Sequence, residues 1–130
     1  QVLMMRLKTD LLEIIDLATK DKLNDFEIKW NKDNCMTIVL CANGYPGNHI
    51  KNSEIEKLPS ADQDNNKQIF HAGTYKKNNK IFSNGGRVLN ITSLGKTLVE
   101  ARDRCLLNLK KIDWNDGFYR KDIGWRALKK

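Results

Sequence analysis

Four consecutive residues in the second half of the 130-residue chain have the types and spacing that bind anions: Asn84, Gly85, Gly86 and Arg87. Paired glycines let backbone N–H groups approach a ligand closely. An adjacent arginine can hold a phosphate through two parallel hydrogen bonds. The same residues would also make a tight turn with an exposed arginine, and on the pattern alone the turn is the more common of the two.

A second basic cluster comes near the end of the chain, where Arg120 and Lys121 precede Asp122 and Arg126 follows. These cations could complete an anion site. A run of charges is more often a solvated face, so both interpretations stay open.

The histidines and cysteines form no readable catalytic or metal motif. His49 and His71 are far apart, and Cys35, Cys41 and Cys105 lack the two-residue spacing of a zinc knuckle. We expect His71 to be a hydrogen-bonded structural residue and the cysteines to be free thiols in a reducing cytosol.

Composition narrows the class of protein. Lysine and arginine number 23 against 16 acidic residues, and a formal charge of +7 would suit nucleic acid or an anionic small molecule. A hydrophobic share of 40% excludes collagen-like and disordered proteins. No stretch approaches the roughly 18 apolar residues that span a bilayer, so no membrane partner is expected. Residues 1–27 hold four basic and six acidic residues, so the basic surplus belongs to the later part.

The beginning of the chain is predicted to be one amphipathic helix with Thr9 as its N-cap. The apolar residues at helical spacing are Leu7, Leu11, Ile14, Ile15 and Ala18. Residues 26–30 alternate as in a strand. Residues 35–42 form a nearly continuous apolar run, which predicts a central strand buried on both faces.

The middle of the chain alternates between turns and strands. A Pro-Gly pair predicts a type II turn over residues 44–47. Residues 48–67 are predicted to be a polar surface excursion anchored by Ile55 and Leu58. Residues 68–75 are predicted to be one strand.

The later part is predicted to contain a polar hairpin tip at residues 76–80, then strands at 81–83 and 87–92. A helix is predicted over residues 95–112. Its buried stripe consists of Leu98, Ala101, Cys105, Leu109 and Ile112. The predicted fold class is therefore α+β: a helix, an antiparallel sheet and then a long covering helix.

Four motifs in order carry a resemblance that covers essentially the whole chain. They are GYPG at 44–47, FHAGT at 70–74, NGGRVL at 84–89 and FYRKDIG at 118–124. Together they resemble the C-terminal part of the phosphoribosylamine–glycine ligase (glycinamide ribonucleotide synthetase) family. The opening MRLKTDL at 5–11 is similar to the segment that closes the ATP-grasp domain of that family.

The resemblance implies an ATP-dependent ligation of glycine to 5-phosphoribosylamine in purine biosynthesis, through a glycyl phosphate. It also implies ATP and magnesium or manganese as cofactors, whose ligands lie in segments upstream of this chain, and a cytoplasmic location. We therefore expect the chain to be a C-terminal fragment that is inactive alone, partnered by the rest of the same enzyme and by small-molecule substrates, without nucleic acid.

The resemblance further implies two structural units. Residues 1–27 would be the terminal helical segment of the ATP-grasp domain, and 28–130 a small β-rich C-terminal domain. Asn84, Gly85, Gly86 and Arg87 would bind the 5-phosphate of phosphoribosylamine. Arg120 and Lys121 would either support that site or hold the tail of the chain onto the core. The family usually has glycine where Asn52 stands, and asparagine tolerates the left-handed backbone that glycine adopts there.

Two other functions stay open from the residues themselves. One is a stand-alone basic β module that binds nucleic acid or another anion. The other is a purely structural domain that buttresses its neighbour.

Overall fold

The computed structural model describes residues 1–59 and 65–129. The helices are α1 (Val2–Arg6), α2 (Leu11–Thr19), α3 (Leu98–Leu109) and α4 (Trp125–Leu128). The strands are β1 (Asn34–Ala42), β2 (Glu54–Ile55), β3 (Lys67–His71), β4 (Thr74–Lys77), β5 (Lys80–Ser83), β6 (Arg87–Gly95) and β7 (Gly117–Phe118). They form two antiparallel sheets in the orders β3-β6-β1-β7 and β2-β5-β4. The α+β fold class with antiparallel sheets is thereby confirmed.

The β1–β6 pair is the centre of the core. Ile38 pairs with Ile91 and Leu40 with Leu89, and all four side chains are buried against α3. On the opposite face of β1, residues such as Val39 are only half-buried. The prediction that β1 is buried on both faces is therefore wrong for its first half, because α3 covers one face only and the short α1 reaches the other.

The N-cap of α3 is Thr97, whose hydroxyl accepts a hydrogen bond from the Glu100 N–H at 3.1 Å. Ala101, Cys105 and Leu109 are buried, as their spacing predicted. The Cys105 thiol donates to the carbonyl oxygens of β1 and β6 residues, each at 3.3 Å, so the helix is bonded to both central strands. The predicted bounds of 95–112 are too wide: β6 continues to Gly95, and the helix ends at Leu109, so Ile112 lies outside it.

The N-terminal segment differs from the prediction. It is two helices rather than one, since Leu7 is extended and forms an isolated bridge with Trp30. The N-cap of α2 is Asp10, whose carboxylate accepts from the Leu12 N–H at 2.7 Å. Thr9 instead accepts from the backbone N–H of Lys29 at 2.7 Å.

The strand predicted at residues 26–30 is wrong. Only Trp30 makes a β-bridge, because the segment lies against Leu7 instead of a sheet edge. The type II turn at 44–47 is also wrong. The Tyr45–Pro46 peptide bond is cis, and the left-handed glycine is Gly44, with φ of 94°, rather than Gly47.

The strand predicted at 68–75 is split between the two sheets. The N–H groups of Ala72 and Gly73 both donate to the Val88 carbonyl, at 3.0 and 3.1 Å, and this corner separates β3 from β4. The hairpin tip is confirmed, with Asn78 and Asn79 at φ of 50° and 60° as a type I′ turn requires.

The polar excursion has the expected anchors, because Ile55 is buried and Leu58 packs on the core. Its residues 60–64 lie outside the described residues. Asn52 has φ of 59°, the left-handed conformation expected of it. Across residues 1–59 and 65–129, no helix combines the length and apolarity needed to cross a membrane.

Candidate functional site

A cleft of about 580 Å³ opens where the β5–β6 connection meets the corner between β3 and β4. All four residues of the predicted anion motif line it: Asn84, Gly85, Gly86 and Arg87. The other residues that line it are Gln1, Val39, Tyr45, Ala72, Gly73 and Asn90. The motif is therefore part of a concave site and not an isolated surface turn.

Close backbone approach shapes the cleft. The Asn84 N–H donates to the Gly73 carbonyl at 2.8 Å. A Cβ at Gly73 would stand 2.6 Å from the Arg87 carbonyl oxygen, so only glycine lets the two segments meet there. A Cβ at Gly86 would overlap the ring of Tyr45, so this glycine and the tyrosine fit against each other. A Cβ at Gly85 would meet only ordinary contacts, at 3.5 Å and beyond.

The turn presents two unpaired backbone donors. Within the described part of the chain, neither the Gly85 nor the Gly86 N–H donates to a protein acceptor, although both residues are partly buried. The Gly86 carbonyl is used, since it accepts from the Ala42 N–H at 2.9 Å. Adjacent free N–H groups in a concave turn are a recurrent way of binding an anion.

A register shift aims Arg87 at the cleft. On β1, Leu40 pairs with Leu89, but the next residue, Cys41, pairs with Arg87. Strand β6 thus holds one extra residue, Val88, as in a β-bulge. Without it, Arg87 would lie on the α3 face of the sheet; with it, Arg87 shares the face of Cys41 and Val39.

The Arg87 guanidinium is exposed and has no carboxylate or carbonyl partner among residues 1–59 and 65–129. Burial raises the pKa of the Cys41 thiol, and the nearby positive charge of Arg87 offsets part of that rise. The arginine is therefore close to the sheet but free to bind an anion in the cleft.

Asn90 was given no role from the sequence, yet it lines the cleft from the middle of β6. It pairs with Val39 on one side and Phe70 on the other, so it lies inside the sheet. The sequence signal was an amide flanked by two apolar residues, Leu89 and Ile91.

The second basic cluster lies elsewhere. Arg120 forms a two-hydrogen-bond ion pair with Asp122, at 2.7 and 3.0 Å, beside a shallow groove at α4. That partner lowers the pKa of the Asp122 carboxyl, and both side chains are exposed. Lys121 lines a different depression next to Leu109 and Trp114. The structure therefore does not bring Arg120 and Lys121 to the cleft of Arg87.

His71 is hydrogen-bonded, as its sequence context predicted. The His71 ring nitrogen Nδ1 lies 2.8 Å from the Thr74 hydroxyl, across the β3–β4 corner. Cys35, Cys41 and Cys105 are free thiols. Among the described residues, no three histidine, cysteine or acidic side chains group as a metal site requires, so the residues here do not fit a metal.

A family model described as phosphoribosylglycinamide synthetase, C domain, matches residues 35–126. The chain belongs to this family. The matched residues contain β1 to β7 and α3, and hence the motif residues and Asn90 of the cleft.

Relatives within the synthetase family align with nearly the whole chain. The phosphoribosylamine–glycine ligase of Brucella melitensis is 44% identical over 130 residues, which is 100% of this chain and 30% of that protein. The ligase of Mesorhizobium japonicum is 46% identical over 98% of this chain and 30% of its own length. The chloroplastic ligase of Arabidopsis thaliana is 44% identical over 99% of this chain and 25% of its own length.

A solved structure agrees with the fold of this synthetase-family chain. The crystal structure of phosphoribosylamine–glycine ligase from Thermotoga maritima superposes with a TM-score of 0.60 at 36% identity. The match covers 68% of this chain and 21% of that one. The chain thus spans about 30% of the length of the curated relatives it matches.

Proposed function

We propose that the chain is the C-terminal part of an ATP-dependent ligase that joins glycine to 5-phosphoribosylamine, and that its cleft binds the 5-phosphate of that substrate. The observation that carries this proposal is that Gly85, Gly86 and Arg87 line one cleft, while their two glycine N–H groups and the guanidinium have no acceptor in the described part of the chain. The alternative of a nucleic-acid-binding module is not retained, because no observation favours it.

The chemistry of the cleft suits a phosphate monoester. Such a group offers several acceptor oxygens and carries negative charge, so it needs both directional donors and a cation. The two glycine N–H groups supply fixed donors, and Arg87 supplies the charge. Asn84 continues the same turn, where its N–H is already bonded to Gly73. These residues bind and orient the substrate; the reaction needs no covalent bond to them.

The proposed unit boundaries follow from the same assignment. Residues 1–27 would complete an ATP-grasp domain, and 28–130 would form the C-terminal domain, with α3 as its long covering helix. Helix α2 supports this arrangement, because it has no buried residue and exposes Leu11, Leu12 and Ile15. Such an apolar stripe needs a covering surface, which the remainder of the ligase would provide.

ATP and its magnesium or manganese ion would be held by the rest of the enzyme. No group in the described residues fits a metal, so the chain supplies substrate binding and is inactive alone. Its free thiols suit the reducing cytoplasm that we propose as its location.

Arg120 and Lys121 are better explained as holding the tail. Arg120 is paired with Asp122, and the Lys121 carbonyl accepts from Arg102 of α3 at 3.1 Å. The Lys121–Arg102 contact joins the segment after β7 to α3, the Arg120–Asp122 pair lies within that segment, and both are separate from the cleft.

Steady-state kinetics of the complete ligase test the proposal. Replacing Arg87 with Gln is expected to lower kcat/KM for phosphoribosylamine by about 10- to 100-fold, the worth of hydrogen bonds to a charged group. The KM for ATP should be unchanged. Arg104→Gln is the matched control, because Arg104 lies on α3 and is paired with Glu100. An Arg87→Gln enzyme with the kinetics of the control would overturn the phosphate assignment.

A further inference from the structure

The side chain of Asn90 is the most unusual polar group in the cleft. It is only 6% exposed, so more than nine-tenths of it is buried, and it lies between two apolar neighbours in the central sheet. Within residues 1–59 and 65–129 its amide has no hydrogen-bond partner, yet it lines the cleft. A mostly buried amide that lines a cleft and has no protein partner is available to bind a ligand there.

The position of Asn90 relative to Arg87 indicates what kind of ligand could reach both residues. The two residues are three apart on β6, roughly 10 Å along an extended strand, and the extra residue Val88 puts both on the same face. The lining of the cleft therefore combines a cation, a neutral amide and glycine N–H groups that have no protein acceptor within residues 1–59 and 65–129.

An amide and a guanidinium recognise different chemistry. A side-chain amide both donates and accepts, which complements a hydroxyl group, whereas a guanidinium only donates and prefers an anion. A ligand that satisfies both must carry a phosphate at one end and hydroxyls a short distance away. A pentose phosphate has this arrangement.

Resting on the proposed function, we infer that Asn90 is a specificity-determining residue whose amide hydrogen-bonds a ring hydroxyl of the sugar phosphate held by Arg87. The glycine turn and Arg87 bind the phosphate of any phosphate monoester. Asn90 selects those that carry a sugar ring, because only a ring hydroxyl can hydrogen-bond its amide.

The test measures the binding of two probes to the complete ligase by calorimetry. Ribose 5-phosphate carries the ring hydroxyls, and ethyl phosphate carries only the phosphate monoester. Asn90→Leu, which keeps the branched shape, is expected to lower the affinity for ribose 5-phosphate about 10-fold and to leave the affinity for ethyl phosphate unchanged. Arg87→Gln is expected to lower the affinity for both probes.

The outcomes separate the two ideas. If the wild-type protein binds neither probe, or Arg87→Gln changes neither affinity, the proposed function fails. If Arg87→Gln weakens both probes but Asn90→Leu leaves the ratio of the two affinities unchanged, the role of Asn90 alone is overturned.

The melting temperature of the Asn90 variant distinguishes an amide that binds ligand from one that stabilises the fold. Removing an unpaired buried amide should leave the melting temperature of Asn90→Leu equal to or above that of the wild type, whereas a structural amide would lower it. If Asn90→Leu does not fold, Asn90→Val takes its place, because valine suits a central strand. The specificity role then requires that Asn90→Val folds and loses the preference for ribose 5-phosphate; any other result overturns it.

Discussion

Arg87 and Asn90 are three residues apart on one strand, and both line the same cleft. Residues three apart on a regular strand face opposite sides of the sheet. The extra residue between them, Val88, removes that opposition by shifting the pairing with β1. A bulge beside a candidate binding site is a common way of redirecting one side chain without disturbing the rest of the sheet.

The fit of Gly86 against Tyr45 predicts that Gly86→Ala damages the cleft. The added methyl group would overlap the tyrosine ring, which also lines the cleft, so the ring has to move. We expect the free energy of unfolding to fall by about 1–3 kcal/mol, as for other overpacked sites. Urea unfolding and ribose 5-phosphate binding by the complete protein would measure both effects.

Gly85→Ala is the matched control for that variant. Its methyl group would meet ordinary contacts and needs no left-handed backbone, so stability should be unchanged or rise by up to about 1 kcal/mol. Truncating Tyr45 to Ala in the Gly86→Ala background should recover part of the loss. Equal losses from Gly85→Ala and Gly86→Ala would contradict the close contact.

Much of the sheet could be read from the sequence because its residues follow local rules. The polar run at residues 76–80 indicated a hairpin tip, and the structure narrows its turn to Asn78 and Asn79, which have the left-handed backbone of a type I′ turn. The apolar positions of α3, including Cys105, gave its buried face. In each case the spacing within one segment contained the information.

The features that escaped sequence analysis depend on contacts between distant segments. The break after α1 follows from the bridge between Leu7 and Trp30, 23 positions away. The division of residues 68–75 follows from the bonds of Ala72 and Gly73 to Val88. The glycine motif was found by its residue types, but the bulge that aims Arg87, and hence the relation to Asn90, has no local signature.

From the burial of the Cys105 thiol, we predict that the protein loses stability at alkaline pH. Burial raises the pKa of its thiol from 9.0 to about 11. The folded state therefore favours the protonated thiol, and this contribution is complete below pH 9. It is lost between about pH 9 and 11, because the unfolded thiol ionises first, with a slope of up to about 1.4 kcal/mol per pH unit.

Denaturant unfolding across pH 8 to 11 would measure that slope, with Cys105→Ala as the comparison. The alanine variant loses the hydrogen bonds to Met36 and Ile91 at every pH, so it starts less stable. Lysine and tyrosine titrate in both proteins, so both should lose stability above pH 9. The alanine variant should lose it less steeply, because it has no thiol at position 105. Parallel curves would show that the thiol does not contribute to the pH dependence.

The two capped helices should respond differently to loss of their caps. Thr97→Ala removes the cap of α3, whose inner face is core, so it should cost about 1 kcal/mol and lower the melting temperature by roughly 3–5 °C. Asp10→Ala removes the cap of α2, which buries no residue in this chain. In this chain by itself, opening α2 exposes no core, so the melting temperature should hardly change, while amide exchange in Leu11–Thr19 accelerates. Equal drops in melting temperature for the two variants would mean that α2 is part of the cooperative core, against the exposed position of Leu12.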